Sequence, residues 1–90
     1  MELNDLQRRV LGAAVFGGGR IIYWVLADGR AVLPGFDENV AGAIHALEGA
    51  GLLAPLGPDG APARALQARP RGSYVMTISE SGEREFARAS

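Results

Sequence analysis

Apolar residues recur at the spacing of a single helix face near the start of the chain, and this pattern predicts a first helix over residues 3–15. Asn4 can cap this helix, because its side-chain oxygen can accept a free backbone N–H, and Gln7 completes a capping box. The glycines at 17–19 predict the end of the helix, because a run of glycines disfavours helical structure.

The same spacing predicts a second helix from Asp37, as its cap, to about Ala50. Gly51 follows it, at the position where a left-handed conformation costs glycine least. Ser79 predicts the cap of a closing helix that runs to about Ala89. The apolar stripe of the second helix, which we expect to be buried, consists of Val40, Ala43, Ile44, Leu47 and Ala50.

Between these two helices, residues 20–26 are rich in β-branched and aromatic side chains, which favours a strand. Asp28-Gly29 predicts a type I′ turn with positive φ at both residues, and residues 30–34 then form the second strand of a hairpin. The first strand is apolar at every position but its first, so both of its faces need cover. We expect one face to meet the helices of the same domain and the other to meet a second copy.

The remaining strands follow the second helix. Leu52 and Leu53 begin one strand, and residues 74–78 form another. Between them, residues 55–72 are predicted to be a loop whose prolines keep it out of any central strand. The order α-β-β-α-β-β-α predicts an α+β fold in a single domain, residues 1–90.

Composition excludes several kinds of chemistry. The chain has no cysteine, which rules out a disulfide scaffold, a thiolate zinc site and a cysteine nucleophile. His45 is the only histidine and lacks partner ligands for a metal, and no serine stands in a G-x-S-x-G motif. We therefore expect a protein that is not an enzyme and needs no cofactor or metal.

Charge and hydropathy narrow the choice of partner. The longest apolar run, residues 21–27, is too short to cross a bilayer, and the first residues lack the pattern of a signal peptide. We expect a cytoplasmic protein without membrane contact. The net charge is −1, so any binding to nucleic acid must come from a local patch of arginines.

Three segments carry motifs that occur together in one family. Residues 46–53, ALEGAGLL, have the pattern of a helix that passes directly into a strand, and residues 74–82, YVMTISESG, are similar to the signature x-L-T-x-x-G. Residues 3–7, LNDLQ, are similar to the opening L-T-x-x-Q. In this order the segments resemble winged-helix proteins of the MarR and PadR type. A hairpin stands where those proteins have a second helix, as in small actinobacterial and phage winged-helix-like proteins. The resemblance implies a DNA-binding protein that regulates transcription.

In a winged helix, a recognition helix enters the major groove while the wing, a loop between two strands, contacts the DNA backbone. The loop of this chain carries Arg64, Arg69 and Arg71, which we expect to contact phosphates. On the second helix only Asn39 and His45 can contact a base edge. Additional phosphate contacts can come from Arg8, Arg9 or Arg20. Approach to phosphates is opposed by the carboxylates of Asp37, Glu38 and Glu48.

The alternative function is a module that binds another protein, as in a phage or plasmid accessory protein, with the loop arginines simply solvated. Tyr23 and Trp24 are candidates for an interface, because aromatic residues are enriched at binding hot spots. We expect one of these two rings in the core, since adjacent residues of a strand face opposite ways. The second helix also offers a partner a flat surface of small residues at Gly42, Ala46 and Gly49. A homodimer built on the hairpin is compatible with either function.

Overall fold

A computed structural model of the protein describes residues 2–56 and 71–89, which form three helices and an antiparallel sheet of four strands. The α+β class is therefore confirmed. The elements in chain order are α1 (Asp5–Phe16), β1 (Arg20–Val25), β2 (Ala31–Val32), α2 (Ala41–Gly49), β3 (Leu53–Pro55), β4 (Gly72–Ile78) and α3 (Glu80–Ala89).

The capping box predicted at the start of α1 is confirmed. The Asn4 side-chain oxygen accepts from the Gln7 backbone N–H at 2.8 Å, and the Gln7 side-chain oxygen accepts from the Asn4 backbone N–H at 3.1 Å. The glycines after Phe16 end the helix as expected, with Gly18 and Gly19 at φ 82° and 95°. These two residues reverse the chain within a few positions, so that β1 begins directly beneath α1.

The sheet has the strand order β2-β1-β4-β3, so β1 and β4 are its central strands. β1 pairs with β4 from Arg20 opposite Thr77 to Val25 opposite Gly72. The predicted hairpin is confirmed, with Trp24 of β1 opposite Val32 of β2. Pro55 lies in β3, an edge strand, where its missing N–H interrupts no central ladder.

The turn of this hairpin differs from the predicted type I′ turn. Only Gly29 has a positive φ, at 87°, and no residue other than glycine has one among the described residues. The Leu26 N–H donates to the Arg30 carbonyl at 2.8 Å, so three residues form the loop instead of two. A three-residue loop places one glycine in the left-handed region, and Asp28 instead accepts the Arg30 N–H through its carboxylate.

The prediction that Asp37 caps α2 is wrong, because the helix begins at Ala41 and Val40 takes the capping position without a side-chain hydrogen bond. The Asn39 side-chain oxygen accepts from the Ala41 N–H at 3.1 Å and from the Ala31 N–H of β2 at 2.9 Å. This double contact fixes the start of α2 against the hairpin. Gly51 has the predicted positive φ, at 77°, after the helix.

The helices pack on one face of the sheet, which we call the inner face. Burial alternates along β1, so Ile21, Tyr23 and Val25 point inward and the residues between them point outward. The Tyr23 ring stacks on Tyr74 of β4, with 5.7 Å between the ring centroids. The predicted stripe of α2 is buried except for Ala50, which is exposed after the end of the helix. The buried core consists of Val10, Leu11, Ala14, Ile21, Tyr23, Val25, Ala31, Leu33, Val40, Ala43, Ile44, Leu47, Leu52, Leu53 and Met76.

A compact junction holds α3 against the corner between α2 and β3. The Ser79 hydroxyl donates to the Gly51 carbonyl at 2.6 Å and accepts from the Gly82 N–H at 3.0 Å, which confirms Ser79 as a cap. The Ser79 N–H donates to the Leu52 carbonyl at 3.0 Å. A Cβ atom on Gly82 would come within 2.7 Å of the Ile78 side chain and would also collide with the Leu52 carbonyl oxygen. The glycine is therefore required by this close approach.

Leu47→Ala should lower the free energy of unfolding by roughly 2–5 kcal/mol, because the Leu47 side chain is fully buried and its truncation leaves a cavity. Leu26→Ala is the matched control, since Leu26 is exposed and should change stability by no more than about 0.5 kcal/mol. Urea unfolding followed by circular dichroism measures both. Equal effects of the two substitutions would contradict the packing of α2.

Gly82→Ala should destabilise the protein by roughly 1–3 kcal/mol, because the added methyl group overpacks the junction with Leu52. Gly42→Ala is the control: it lies in α2 with open space around the new Cβ, so helix propensity should stabilise the protein by roughly 0.5–1 kcal/mol. Thermal unfolding of the two variants should move in opposite directions. A stabilised Gly82→Ala protein would show that α3 does not pack as closely as described.

Candidate binding surfaces

The outer face of the sheet is apolar and exposed. Ile22, Trp24, Val32 and Leu26 have exposed fractions of 48, 43, 41 and 40%, and they all lie on or beside this face. Large apolar side chains gathered on one exposed face are characteristic of a site of interaction. This surface is the first candidate binding site of the molecule.

The strand register brings the side chains of this surface together. Trp24 stands opposite Val32 on one side and Ser73 on the other, and Ile22 stands opposite Val75 of β4. Beyond Val75, the Leu56 N–H donates to the Val75 carbonyl at 3.0 Å. None of the residues in the four strands is Asp or Glu. The surface is therefore an uncharged apolar centre, which we call the open face and define by Ile22, Trp24, Val32 and Val75.

The two adjacent aromatic residues of β1 lie on opposite faces of the sheet. Tyr23 is 2% exposed and lies in the core, so its prediction as an interface residue is corrected. Trp24 is exposed on the open face. The alternation of a strand fixes that one ring is inside and one outside, whereas the packing of the helices decides which.

A second candidate surface lies at one end of the sheet. Arg30 follows the β1–β2 turn, and its carbonyl accepts from the Leu26 N–H. Arg71 precedes Gly72, which pairs with Val25, so it flanks the same end of β1 from the other side. Both arginines are exposed, and neither forms an ion pair with any described carboxylate. We call this pair of arginines and the surface between them the basic end.

The start of α2 belongs to the same end of the sheet. The Val40 N–H donates to the Ala31 carbonyl at 3.1 Å, directly after Arg30. Arg71, the first described residue after the 57–70 connection, also lies at this end, because Gly72 pairs with Val25. The predicted loop residues Arg64 and Arg69 lie outside the described residues. Sequence reasoning identified Arg71 but overlooked Arg30, which becomes its neighbour only through the β1–β4 pairing.

The arginines of α1 are occupied by carboxylates, which makes them poor candidates for phosphate contacts. Arg8 donates to Asp5 at 3.1 Å, and Arg9 donates to Asp5 at 3.0 Å and also to Glu38. The Arg9 guanidinium lies 5.6 Å from the centroid of the Phe36 ring. The hydrogen bond from Arg9 lowers the pKa of Glu38 below its usual range. These contacts join α1 to the segment before α2.

The residues proposed for base contact differ in their availability. His45 is exposed on the outer side of α2. The Asn39 side-chain oxygen is already bound to the Ala31 and Ala41 N–H groups, so a bidentate contact with adenine would have to break both bonds. Asn39 is therefore a positioning residue for α2 in this structure. Next to His45, the exposed surface of the helix consists of Gly42 and Gly49.

A cleft of about 530 Å³ lies between α1, α3 and the segment before α2. Its walls are the rings of Phe16, Phe36 and Phe86, with Arg8 and Arg9 at the rim. Phe16 packs edge-to-face on Phe86 with 5.8 Å between the ring centroids, although Phe16 is 84% exposed. Sequence analysis missed this cleft, because its rings come from three separate parts of the chain.

Within residues 2–56 and 71–89, no group of three or more His, Asp or Glu residues could hold a metal ion. Among the helices of these same residues, none is long and apolar enough to cross a membrane.

Comparison of the chain with models of known protein families, with curated proteins and with solved structures finds no match. The resemblance to winged-helix proteins therefore stays a prediction.

Acid should weaken the tie between α1 and the segment before α2. Because Arg9 lowers the pKa of folded Glu38, this group contributes stability above its unfolded pKa, about 4.3, and that contribution is lost as the pH falls through the lower folded value. Glu38→Gln should therefore flatten the loss of stability with falling pH below about 5. Urea unfolding at a series of pH values measures the slope.

Glu2→Gln serves as the control for this experiment, since Glu2 is exposed and has no ion pair among the described residues. The Glu2→Gln protein should keep the wild-type slope. If Glu38→Gln also kept it, the contact with Arg9 would contribute nothing to stability in solution.

Proposed function

We propose that the protein binds DNA and contacts its phosphate backbone through the basic end of the sheet. The observation that carries this proposal is the position of Arg30 and Arg71, which flank the end of β1 and are unpaired among the described residues. The planar guanidinium group forms two parallel hydrogen bonds with a phosphate, so exposed and unpaired arginines are suited to backbone contact. Arg64 and Arg69, which lie outside the described residues, stay candidates for phosphate contact on the sequence alone.

In this proposal the molecule is winged-helix-like. α2 leads directly into β3, and the connection between β3 and β4 takes the place of the wing. The start of α2 lies beside Arg30, so the helix and this arginine lie at the same end of the sheet. These features support the resemblance drawn from the sequence motifs.

Recognition of base sequence should be weak. The exposed surface of α2 presents His45 between small residues, and the oxygen of Asn39 is engaged within the chain. Contacts to the backbone position a protein on DNA but carry no sequence information. We therefore propose binding with little sequence preference, and regulation of transcription would require a specificity that a partner supplies.

The second candidate function, a module that binds protein, is favoured by the open face of the sheet. Its exposed apolar centre is unrelated to phosphate contact. The two functions use different surfaces, so they do not exclude each other.

Binding to a random-sequence duplex, followed by fluorescence anisotropy across a salt series, tests the proposal. The double variant Arg30→Ala/Arg71→Ala should bind more weakly, and the slope of log Kd against log salt should fall by about 2, because two phosphate contacts no longer release counterions. The control, Arg84→Ala/Arg88→Ala, removes the same charge from α3 and should bind as the wild type does. Equal weakening by both variants, or no wild-type binding at low salt, would overturn the proposal.

A further inference from the structure

We infer that the open face of the sheet is the interface of a homodimer, in which the open faces of two copies pack against each other. The interface would be centred on Ile22, Trp24, Val32 and Val75. This inference goes beyond DNA binding and does not depend on it.

The open face is costly to leave in water. Among the described residues, five large apolar side chains are exposed, and four of them lie on or beside the open face. Each is exposed by two fifths or more, although a strand of this kind is usually covered on both faces when both are apolar. Trp24 at its centre is a residue type that is enriched at the energetic centres of interfaces.

The lack of charge on the open face limits the kind of partner that can bind there. The strands contain no carboxylate, and the one charged strand residue, Arg20, lies at the corner where β1 begins. An acidic or basic partner would therefore find no counter-charge at the centre of the surface. The fitting counterpart is another uncharged apolar sheet face, which a second copy of the chain provides. Two identical patches that are complementary to each other pair about a two-fold axis and form a closed interface.

The area of the open face sets the strength of such a dimer. The four strands have 6, 2, 3 and 7 residues, so at about 3.3 Å per residue and about 4.8 Å per strand the face covers roughly 300 Å² in projection. A stable dimer usually buries about 800 Å² on each partner, so a face of this size supports only a weak and reversible dimer. Two sheets that pack face to face lie about 10 Å apart, which leaves room for the interdigitation of Trp24 with its counterpart.

Salt separates this inference from the proposed function. Apolar association is strengthened by sulfate, whereas contacts to phosphates weaken as salt rises. If the dimer persisted in sulfate while DNA binding was lost, the homodimer would be supported. The loss of DNA binding would then be attributed to the phosphate contacts of the basic end. If the protein bound DNA but stayed monomeric at every concentration, the proposed function would be supported and the dimer would be overturned.

Trp24 is the only tryptophan in the chain and therefore reports directly on the open face. Sedimentation equilibrium and tryptophan emission should be measured together on the whole chain as it is diluted from millimolar to micromolar concentration. We expect the mass to fall from twice the monomer value toward the monomer value, while the emission maximum shifts to longer wavelength as Trp24 becomes hydrated. A monomer mass with an unchanged emission maximum at every concentration would overturn the inference.

Ile22→Glu tests the location of the interface and keeps the fluorescent reporter. It places a carboxylate at the apolar centre, where burial without a partner is costly, so the dimer dissociation constant should rise more than about tenfold. Phe16→Glu is the control, because Phe16 is also highly exposed but lies on α1 away from the open face. If Phe16→Glu abolished the dimer and Ile22→Glu did not, the interface would be elsewhere. Should Ile22→Glu fail to fold, as judged by circular dichroism, the dilution of the wild type still decides.

Discussion

The pairing of β1 with β4 is the interaction on which the rest of the structure depends. It joins residues 20–25 to residues 72–77, which are far apart in the sequence, along six pairs of residues. This pairing makes a single inner face from Ile21, Tyr23 and Met76, and the three helices bury that face. It also makes a single outer face, because every inward residue of β1 is followed by an outward one. Both candidate surfaces therefore arise from one register.

A chain with a net charge of −1 can still present a positive surface, since its charges are unevenly placed. Arg8, Arg9 and Arg88 of the helices contact carboxylates close to them. Arg30 and Arg71, beside the strands, have no such neighbour among the described residues. The net charge of the whole molecule therefore says little about the local potential at the end of the sheet.

Local signals in the sequence predicted local structure well. The capping box of Asn4, the left-handed Gly51 and the cap Ser79 each depend on residues that are close in sequence or on a single glycine, and all three are confirmed. The start of α2 was predicted wrongly at Asp37, because Asn39 is held by the backbone of β2, a contact that spacing along the chain does not reveal.

The candidate surfaces were only partly predictable for the same reason. Alternation showed that Tyr23 and Trp24 face opposite ways, but the side on which the helices lie is a property of the whole fold. Arg30 gains its importance from the β1–β4 register, and the cleft of phenylalanine rings unites α1, α3 and a loop. The sequence pattern of a single helix or strand does not predict which residues of different elements come into contact.

The ladder between β3 and β4 affects how far the segment that connects these strands can vary in length. Leu56 is held by the Val75 carbonyl and Gly72 by its pairing with Val25, so both ends of the 57–70 connection are fixed by the sheet itself. The free-energy cost of closing a flexible loop rises slowly with its length, by about 0.6 kcal/mol for each doubling. Related chains could thus lengthen or shorten this segment, and change how many arginines it offers, at little cost to the folded core. The sheet would stay the same while the segment between β3 and β4 varied in length and charge.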